Sequence, residues 1–207
     1  MIKQMSKNYP ASYQEAEKIF RQNSGILRTA EAKALGIPET ILSRMLEDGL
    51  LVREARGLYR LADLALVEPD LVQVSKLVPK SVVCLISALS FHNLTTQIPK
   101  KVYIALPQKT KAPRLDYPPL DIIYLSARPY QAGIEEHELD GVRVRIYNKE
   151  KTIADCFKFR NKIGLDIAIE ALKDYLSLRS IDLDKLAEYA KINRVKSIIT
   201  PYIRASL

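Results

Sequence analysis

Between Leu27 and Leu61 the chain reads LRTAEAKALGIPETILSRMLEDGLLVREARGLYRL, and its glycines and prolines divide this run into short pieces. Thr29 is placed to cap a first helix, because a hydroxyl accepts from the orphan N–H groups of a first turn. Gly36 closes that helix, and Pro38 suits the first turn of the next. Ile41, Leu42, Met45 and Leu46 share one face of this second helix, and Gly49 ends it. Two short strands follow, Leu50–Arg53 and Leu58–Leu61, joined by the turn Glu54-Ala55-Arg56-Gly57. Helix, tight turn, helix and hairpin make the layout of a winged helix-turn-helix.

With the apolar face turned inward, Glu39, Thr40, Ser43, Arg44 and Glu47 must face solvent. Thr40, Ser43 and Arg44 can reach phosphates and base edges, and an arginine can bind guanine bidentately. Arg53, Arg56 and Arg60 put a basic wing beside a DNA backbone or minor groove. The candidate DNA contacts are therefore Arg28, Thr29, Thr40, Ser43, Arg44, Arg53, Arg56 and Arg60. The competing reading is a winged fold used for protein contacts, and Glu39 and Glu47, which repel phosphate, favour it.

The charge balance leans the same way as the wing. Among 207 residues the formal net charge is +8, which favours polyanionic partners. Hydrophobic residues at 47% with 27% charged fit a globular chain with room for one large or two small domains. Cys84 and Cys156 lie far apart, make no metal spacing and read as buried free thiols of a reducing compartment. The opening MIKQMSKNYPAS has no apolar leader run, and no apolar run is long enough to span a membrane, so the expectation is a cytoplasmic protein.

The motif sits inside a longer pattern. Ser12 to Glu15 reads as a capping box opening a helix to about Gln22, with Ala16, Ile19 and Phe20 facing the motif helices. This gives a winged domain over residues 1–65. Pro69 starts a short helix from Asp70 to Val78, and Pro79 breaks it. Ser81 is expected to cap an apolar, buried helix from Val82 to about His92. Lys101–Leu106 and Leu120–Leu125 are β-rich, and Leu139–Tyr147 alternates as V-R-V-R-I-Y after an Asp140-Gly141 turn. Between the first two lies PQKTKAPRLDYPP, a basic, proline-rich surface loop. Lys151–Phe159, Leu165–Leu178, Leu183–Lys191 and Val195–Ile203 read as helices. Residues 66–207 thus form a second domain with a small antiparallel or mixed sheet flanked by helices, and the fold class is α+β throughout.

Three segments in this order resemble the AbiEi family, antitoxins of abortive-infection type IV toxin–antitoxin systems. They are the winged motif, ALSFHNLTTQIPKKVYIALP (Ala88–Pro107), and VRVRIYNKEKTIADCFKFRNKIGLDIAIEALKDYL (Val142–Leu176). The resemblance covers about residues 12–180. One departure is Asn93, where the pattern has glycine after the histidine; asparagine tolerates the left-handed conformation. The resemblance implies a phage-defence antitoxin whose winged domain represses its own operon through inverted repeats in double-stranded DNA. It also implies a second domain that counters a nucleotidyltransferase-fold toxin, without requiring a stable complex with it.

The chemistry-bearing residues point away from an enzyme. His92 ends an apolar helix, where a hydrogen-bonding ring suits the carbonyl end. His137, in IEEHELDG, sits in an acidic solvated turn. No P-loop, G-x-G-x-x-G, G-x-S-x-G or Cys/His metal set occurs, so no cofactor, metal or catalytic residue is expected. Asp155 stands in a basic helix within reach of Lys151, Lys158 or Arg160. Arg143 and Arg145 share one strand face and, with Lys149, Lys151, Lys158, Arg160 and Lys162, form a basic cluster. With Lys100, Lys101, Lys109, Lys111 and Arg114, the two arginines make a candidate antitoxin surface, either a solvated face or a polyanion site for DNA or RNA. Two further readings stay open: a stand-alone winged regulator with a ligand-sensing or oligomerising domain, and a protein-interaction module.

Overall fold

The computed structural model describes residues 10–206; the stretch 1–9, part of the segment read above for a leader, and residue 207 lie outside the described residues. The chain divides into two compact units. The first runs to Pro69 and takes in Asp140–Val142; the second holds Asp70–Leu139 and continues from Arg143.

In the first unit, helices α1 (Ala11–Gln22), α2 (Thr29–Ala34) and α3 (Glu39–Glu47) accompany strands β1 (Ile26–Arg28), β2 (Leu51–Ala55) and β3 (Leu58–Leu61). The strands form an antiparallel sheet in the order β1-β3-β2. This is the winged helix-turn-helix layout, with a third strand that the sequence pattern does not announce because β1 has only three residues. Its core gathers Tyr13, Ala16 and Phe20 from α1, Leu42 and Met45 from α3, and Leu51 and Leu61 from the hairpin. Tyr13 joins that core because its apolar ring is buried while its hydroxyl donates to Asp48 Oδ2 at 2.9 Å.

Two caps expected from the sequence are absent. Helix α1 begins at Ala11 with Pro10 at its N-cap, so Ser12 lies inside the first turn and caps nothing. Helix α2 has Arg28 at its N-cap, and the Arg28 N–H donates to Glu31 Oε2 at 2.8 Å. The Thr29 N–H is taken by Gly57 O at 2.9 Å, so pairing of β1 with β3 fixes where the helix starts.

The second unit is built on a mixed five-stranded sheet, ordered β6-β5-β4-β8-β7. Its strands are β4 (Val82–Val83), β5 (Val102–Pro107), β6 (Leu120–Leu125), β7 (Ile134–Leu139) and β8 (Val142–Tyr147). β4 runs antiparallel to β5 and parallel to β8, and β5 runs parallel to β6. The helices are α4 (Pro69–Leu77), α5 (Leu85–Phe91), α6 (Ala127–Gln131), α7 (Lys149–Lys158), α8 (Arg160–Ile163), α9 (Leu165–Leu176), α10 (Leu183–Ile192) and α11 (Lys196–Ser206).

Two expectations fail here for identifiable reasons. Val82 and Val83 belong to a central strand, and the helix starts only at Leu85, so Ser81 caps nothing. A continuous apolar run does not distinguish a buried strand from a buried helix by periodicity, and the β-branched pair is what favours the strand. The acidic IEEHEL is strand β7 at a sheet edge and not a turn. Charged residues on an edge strand suppress the strand signal while guarding the edge against further pairing. The Asp140-Gly141 turn between β7 and β8 has φ of 51° and 75°, as a two-residue hairpin loop demands.

At the centre of the second unit lies an ion pair with no exposure. Lys151 Nζ stands 2.6 and 2.5 Å from the two carboxylate oxygens of Asp155, one helical turn along α7. Asn193 Nδ2 donates to Asp155 Oδ1 at 2.7 Å, and the Tyr147 ring lies 4.2 Å beneath the ammonium. Asn148 caps α7 by accepting from the Lys151 N–H at 2.9 Å. Gly133 allows the close approach: a Cβ there would fall 2.6 Å from Lys151 Cβ. Lys151 therefore leaves the basic surface cluster in which the sequence places it, while the helical-turn bridge expected for Asp155 is present.

Removing one member of a buried pair strands the other charge, a loss of about 3–5 kcal/mol. Asp155→Ala is expected to destabilise by that much in chemical denaturation. The double replacement Lys151→Met/Asp155→Leu should recover most of the loss, since it strands no charge.

Candidate nucleic-acid interface

Helix α3 presents its faces as its periodicity dictates. Leu42 and Met45 are buried, while Glu39, Thr40, Ser43, Arg44 and Glu47 are exposed. Gly49 then turns the chain directly into β2, so the polar face and the wing are parts of one continuous segment. Glu39, which by itself opposes an approaching phosphate, lies 2.7 Å from Lys33 Nζ on α2. Both side chains are more than half exposed, so the pair reduces the local negative field without adding much stability.

The wing arginines have different employments. Arg53 and Arg56 are exposed, Arg56 in the turn between β2 and β3. Arg60 is committed inward: its Nε donates to Glu54 Oε1 at 2.6 Å and its Nη1 to Leu61 O at 2.8 Å and to Leu64 O. The alternation that suggests three equivalent wing arginines cannot distinguish a free guanidinium from one that braces its own hairpin. Arg28 and Thr29 are half-buried at the start of α2, and their backbone N–H groups are already spent within the unit. The exposed set is thus Thr40, Ser43 and Arg44 on the helix with Arg53 and Arg56 on the wing.

In the second unit, Lys100, Lys101, Lys109, Lys111, Arg114 and Arg143 are exposed. Sheet topology does not gather them. Lys100 and Lys101 precede β5, whereas Lys109 follows its other end. The pairings Val83 with Ile104 and Val83 with Ile146 put Arg143 level with the end of β5 that leads to Lys109. Arg145 is half-buried, with Nη1 donating to the Tyr130 hydroxyl at 3.1 Å and its guanidinium 5.6 Å from that ring. Lys162 pairs with Asp121, and Arg160 donates to Phe157 O at 2.9 Å. The expected basic cluster is therefore partly spent on internal structure.

The histidines have structural settings. The His92 Nε2–H donates to Tyr147 O at 2.7 Å, where Thr152 Oγ1 also donates at 3.1 Å. Burial lowers its pKa, with the bond to Tyr147 O acting in the opposite sense. His137 lies on β7, its ring 4.8 Å from that of Phe91 and its Nε2 3.4 Å from Glu135 Oε2. Both cysteines are buried free thiols, and burial raises their pKa well above the ordinary range, which leaves them poor nucleophiles. Among the described residues no group of three His, Cys, Asp or Glu side chains is arranged to hold a metal. No helix among them is long and apolar enough to cross a membrane.

The helix-turn-helix and wing coincide with a known family. Residues 14–62 match the family described as "Transcriptional regulator, AbiEi antitoxin". The AbiEi resemblance read from the sequence is borne out over that segment, which runs from within α1 to just past β3. No curated protein sequence matches the chain. Among solved structures, the chain is similar to the crystal structure of RV2827C protein from Mycobacterium tuberculosis. The TM-score is 0.64 at 12% identity, covering 90% of this chain and 73% of that one. At that identity the likeness is one of fold, and it extends across both units.

The lowered His92 value sets a sign for acid stability. Its folded-state pKa lies below its unfolded one, so the unfolded chain binds more protons between the two. The neutral ring's stabilisation is complete above the unfolded value and is lost as the pH falls through that window. Denaturation at about pH 7.5 and about pH 5 should show lower stability at the acid end. His92→Gln, whose amide still donates to Tyr147 O, should narrow that difference.

Proposed function

We propose that this chain is a DNA-binding antitoxin of a type IV, abortive-infection system that represses its own operon at inverted repeats. The observation that carries the reading is the exposed Thr40, Ser43 and Arg44 face on α3, with Arg53 and Arg56 on the wing. It lies inside the segment matching an antitoxin and transcriptional-regulator family. In this reading α3 enters the major groove, Arg44 contacts a base edge, and the wing arginines hold phosphates. The chain acts in the cytoplasm, catalyses no reaction and needs no cofactor or metal. Its functional partner is a nucleotidyltransferase-fold toxin that it counters without a stable complex. The Lys109–Arg114 loop and Arg143 remain open to contact with RNA.

A stand-alone transcriptional regulator is the second reading. It is favoured by the confinement of the family match to residues 14–62, which leaves the second unit outside it. Co-expression with a neighbouring nucleotidyltransferase-like gene separates the two. Growth rescue by the full chain is expected for an antitoxin, and its absence alongside intact promoter binding would favour the stand-alone regulator.

The DNA-binding claim has its own test. Arg44→Ala should weaken operator binding by roughly 1–3 kcal/mol and relax specificity at one position. Arg56→Ala should weaken all sequences evenly and reduce the salt slope by about one. Arg60→Ala should act on thermal stability first, given its internal bonds. Titrations of operator and random duplexes at several salt concentrations measure the first two and a thermal melt measures the third, and unchanged binding in Arg44→Ala/Arg56→Ala would remove α3 and the wing from the interface.

A further inference from the structure

We propose that the second unit carries a separate site for the phosphodiester backbone of nucleic acid, in an open cleft at the junction of α10 and α11. The cleft measures about 720 Å³ and is lined by Lys191, Arg194, Lys196 and Arg204 together with Ser197 and Thr200. All four cations are exposed, and among the described residues none of them pairs with an acidic side chain. Four unpaired positive charges lining one shallow, open surface create a field that attracts a polyanion. The first turn of α11 adds to it, since the Lys196 and Ser197 N–H groups precede the helix's own bonding and the helix dipole is positive there. Lys158 on α7 lies within the field of Arg194: burial lowers its pKa, and the charges of Lys151 and Arg194 lower it further against the pull of Asp155.

The backbone at Arg194 points the same way. Arg194 has φ of 60°, the left-handed conformation that closes α10. Its N–H donates to Lys191 O at 3.0 Å, and that of Val195 donates to Ala190 O at 2.8 Å. Glycine takes this position at least strain, and α2 and α3 use Gly36 and Gly49 for it. Here the position holds an arginine that lines the cleft, a long cation where the backbone disfavours a side chain.

A nucleic-acid backbone fits this surface better than a membrane or a lone anion. The apolar side of α11 is already used: Ile199 is buried, and Ile198, Tyr202 and Ile203 pack on the core, so no apolar face is left to enter a bilayer. The cleft is wide and open, and its four cations suit several phosphates in succession. The hydroxyls of Ser197 and Thr200 can take part, although Thr200 Oγ1 already donates to Lys196 O at 2.7 Å. Among the described residues no aromatic ring lines the cleft to stack on bases, so binding there should be insensitive to sequence.

The test uses the full chain in a background that silences the winged face, Arg44→Ala/Arg53→Ala/Arg56→Ala. Fluorescence anisotropy with labelled mixed-sequence single-stranded RNA and DNA should detect residual, salt-dependent binding. Whichever strand binds more tightly identifies the natural source of the backbone. Adding Lys196→Glu/Arg204→Glu should weaken that binding at least tenfold and reduce the salt slope by about one or more. Arg194→Gly should also weaken it while the melting temperature holds or rises, which separates loss of a cation from loss of fold. The proposal is overturned if the winged-face background binds neither strand at low salt, or if the charge-reversed protein keeps its affinity and slope. It is also overturned if inorganic phosphate competes as well as an oligonucleotide of equal phosphate content, or if anionic phosphatidylglycerol vesicles bind where oligonucleotides do not.

Discussion

Helix closure is the constraint on which both units depend. Helices α2, α3, α5 and α10 each end on one left-handed residue: Gly36, Gly49, Asn93 and Arg194. In every case that residue's N–H turns back three residues and the following N–H turns back five, at 2.8–3.1 Å. These bonds satisfy carbonyls that a helix end leaves without partners. The residue after the closure is apolar and packs on its unit's core: Ile37, Leu50, Leu94 and Val195. Each closure thus stops a helix, satisfies its end and anchors the next element in one step. In the first unit this sets the turn between α2 and α3 and the entry into β2. In the second it turns α5 toward β5 and α10 into α11.

The second unit adds a constraint of a different kind. Its core holds Lys151 and Asp155 as a contact pair with Asn193, and Tyr147 beneath the ammonium. Such a pair contributes little net stability over an apolar equivalent but penalises any arrangement that separates its members. α7 must therefore keep one rotation against β8, which supplies Tyr147, and against the end of α10, which supplies Asn193. The surrounding core of Val82, Leu89, Phe157, Leu172 and Leu186 provides the bulk of the burial.

Basic residues divide into those that brace the fold and those left to solvent. Arg60, Arg145, Lys151, Arg160 and Lys162 are spent on carboxylates, carbonyls or a tyrosine. Arg44, Arg53 and Arg56 in the first unit, and Lys191, Arg194, Lys196 and Arg204 in the second, are exposed. A net charge of +8 says nothing about that division. The division carries the functional argument, because only an unspent cation can exchange its counterions for a phosphate.

The sequence by itself determined the elements whose signals are local. The apolar face of α3, the glycines that close α2 and α3, and the Asp-Gly hairpin turn rest on short-range geometry, and each lies where periodicity and turn chemistry place it. The exposed face of α3 was legible for the same reason, since an amphipathic helix assigns its outer residues as soon as its inner ones are known. Only the tertiary structure decided what depends on distant partners. Val82 and Val83 are strand because β5 and β8 flank them, and α2 begins at Thr29 because Gly57 takes its N–H. Arg60 is spent because hairpin pairing sets it against Glu54 of β2, and Lys191, Arg194, Lys196 and Arg204 line one surface because the chain turns at Arg194 between α10 and α11. A side chain's type fixes what it can bond to, but only the fold brings the partner that decides whether it does.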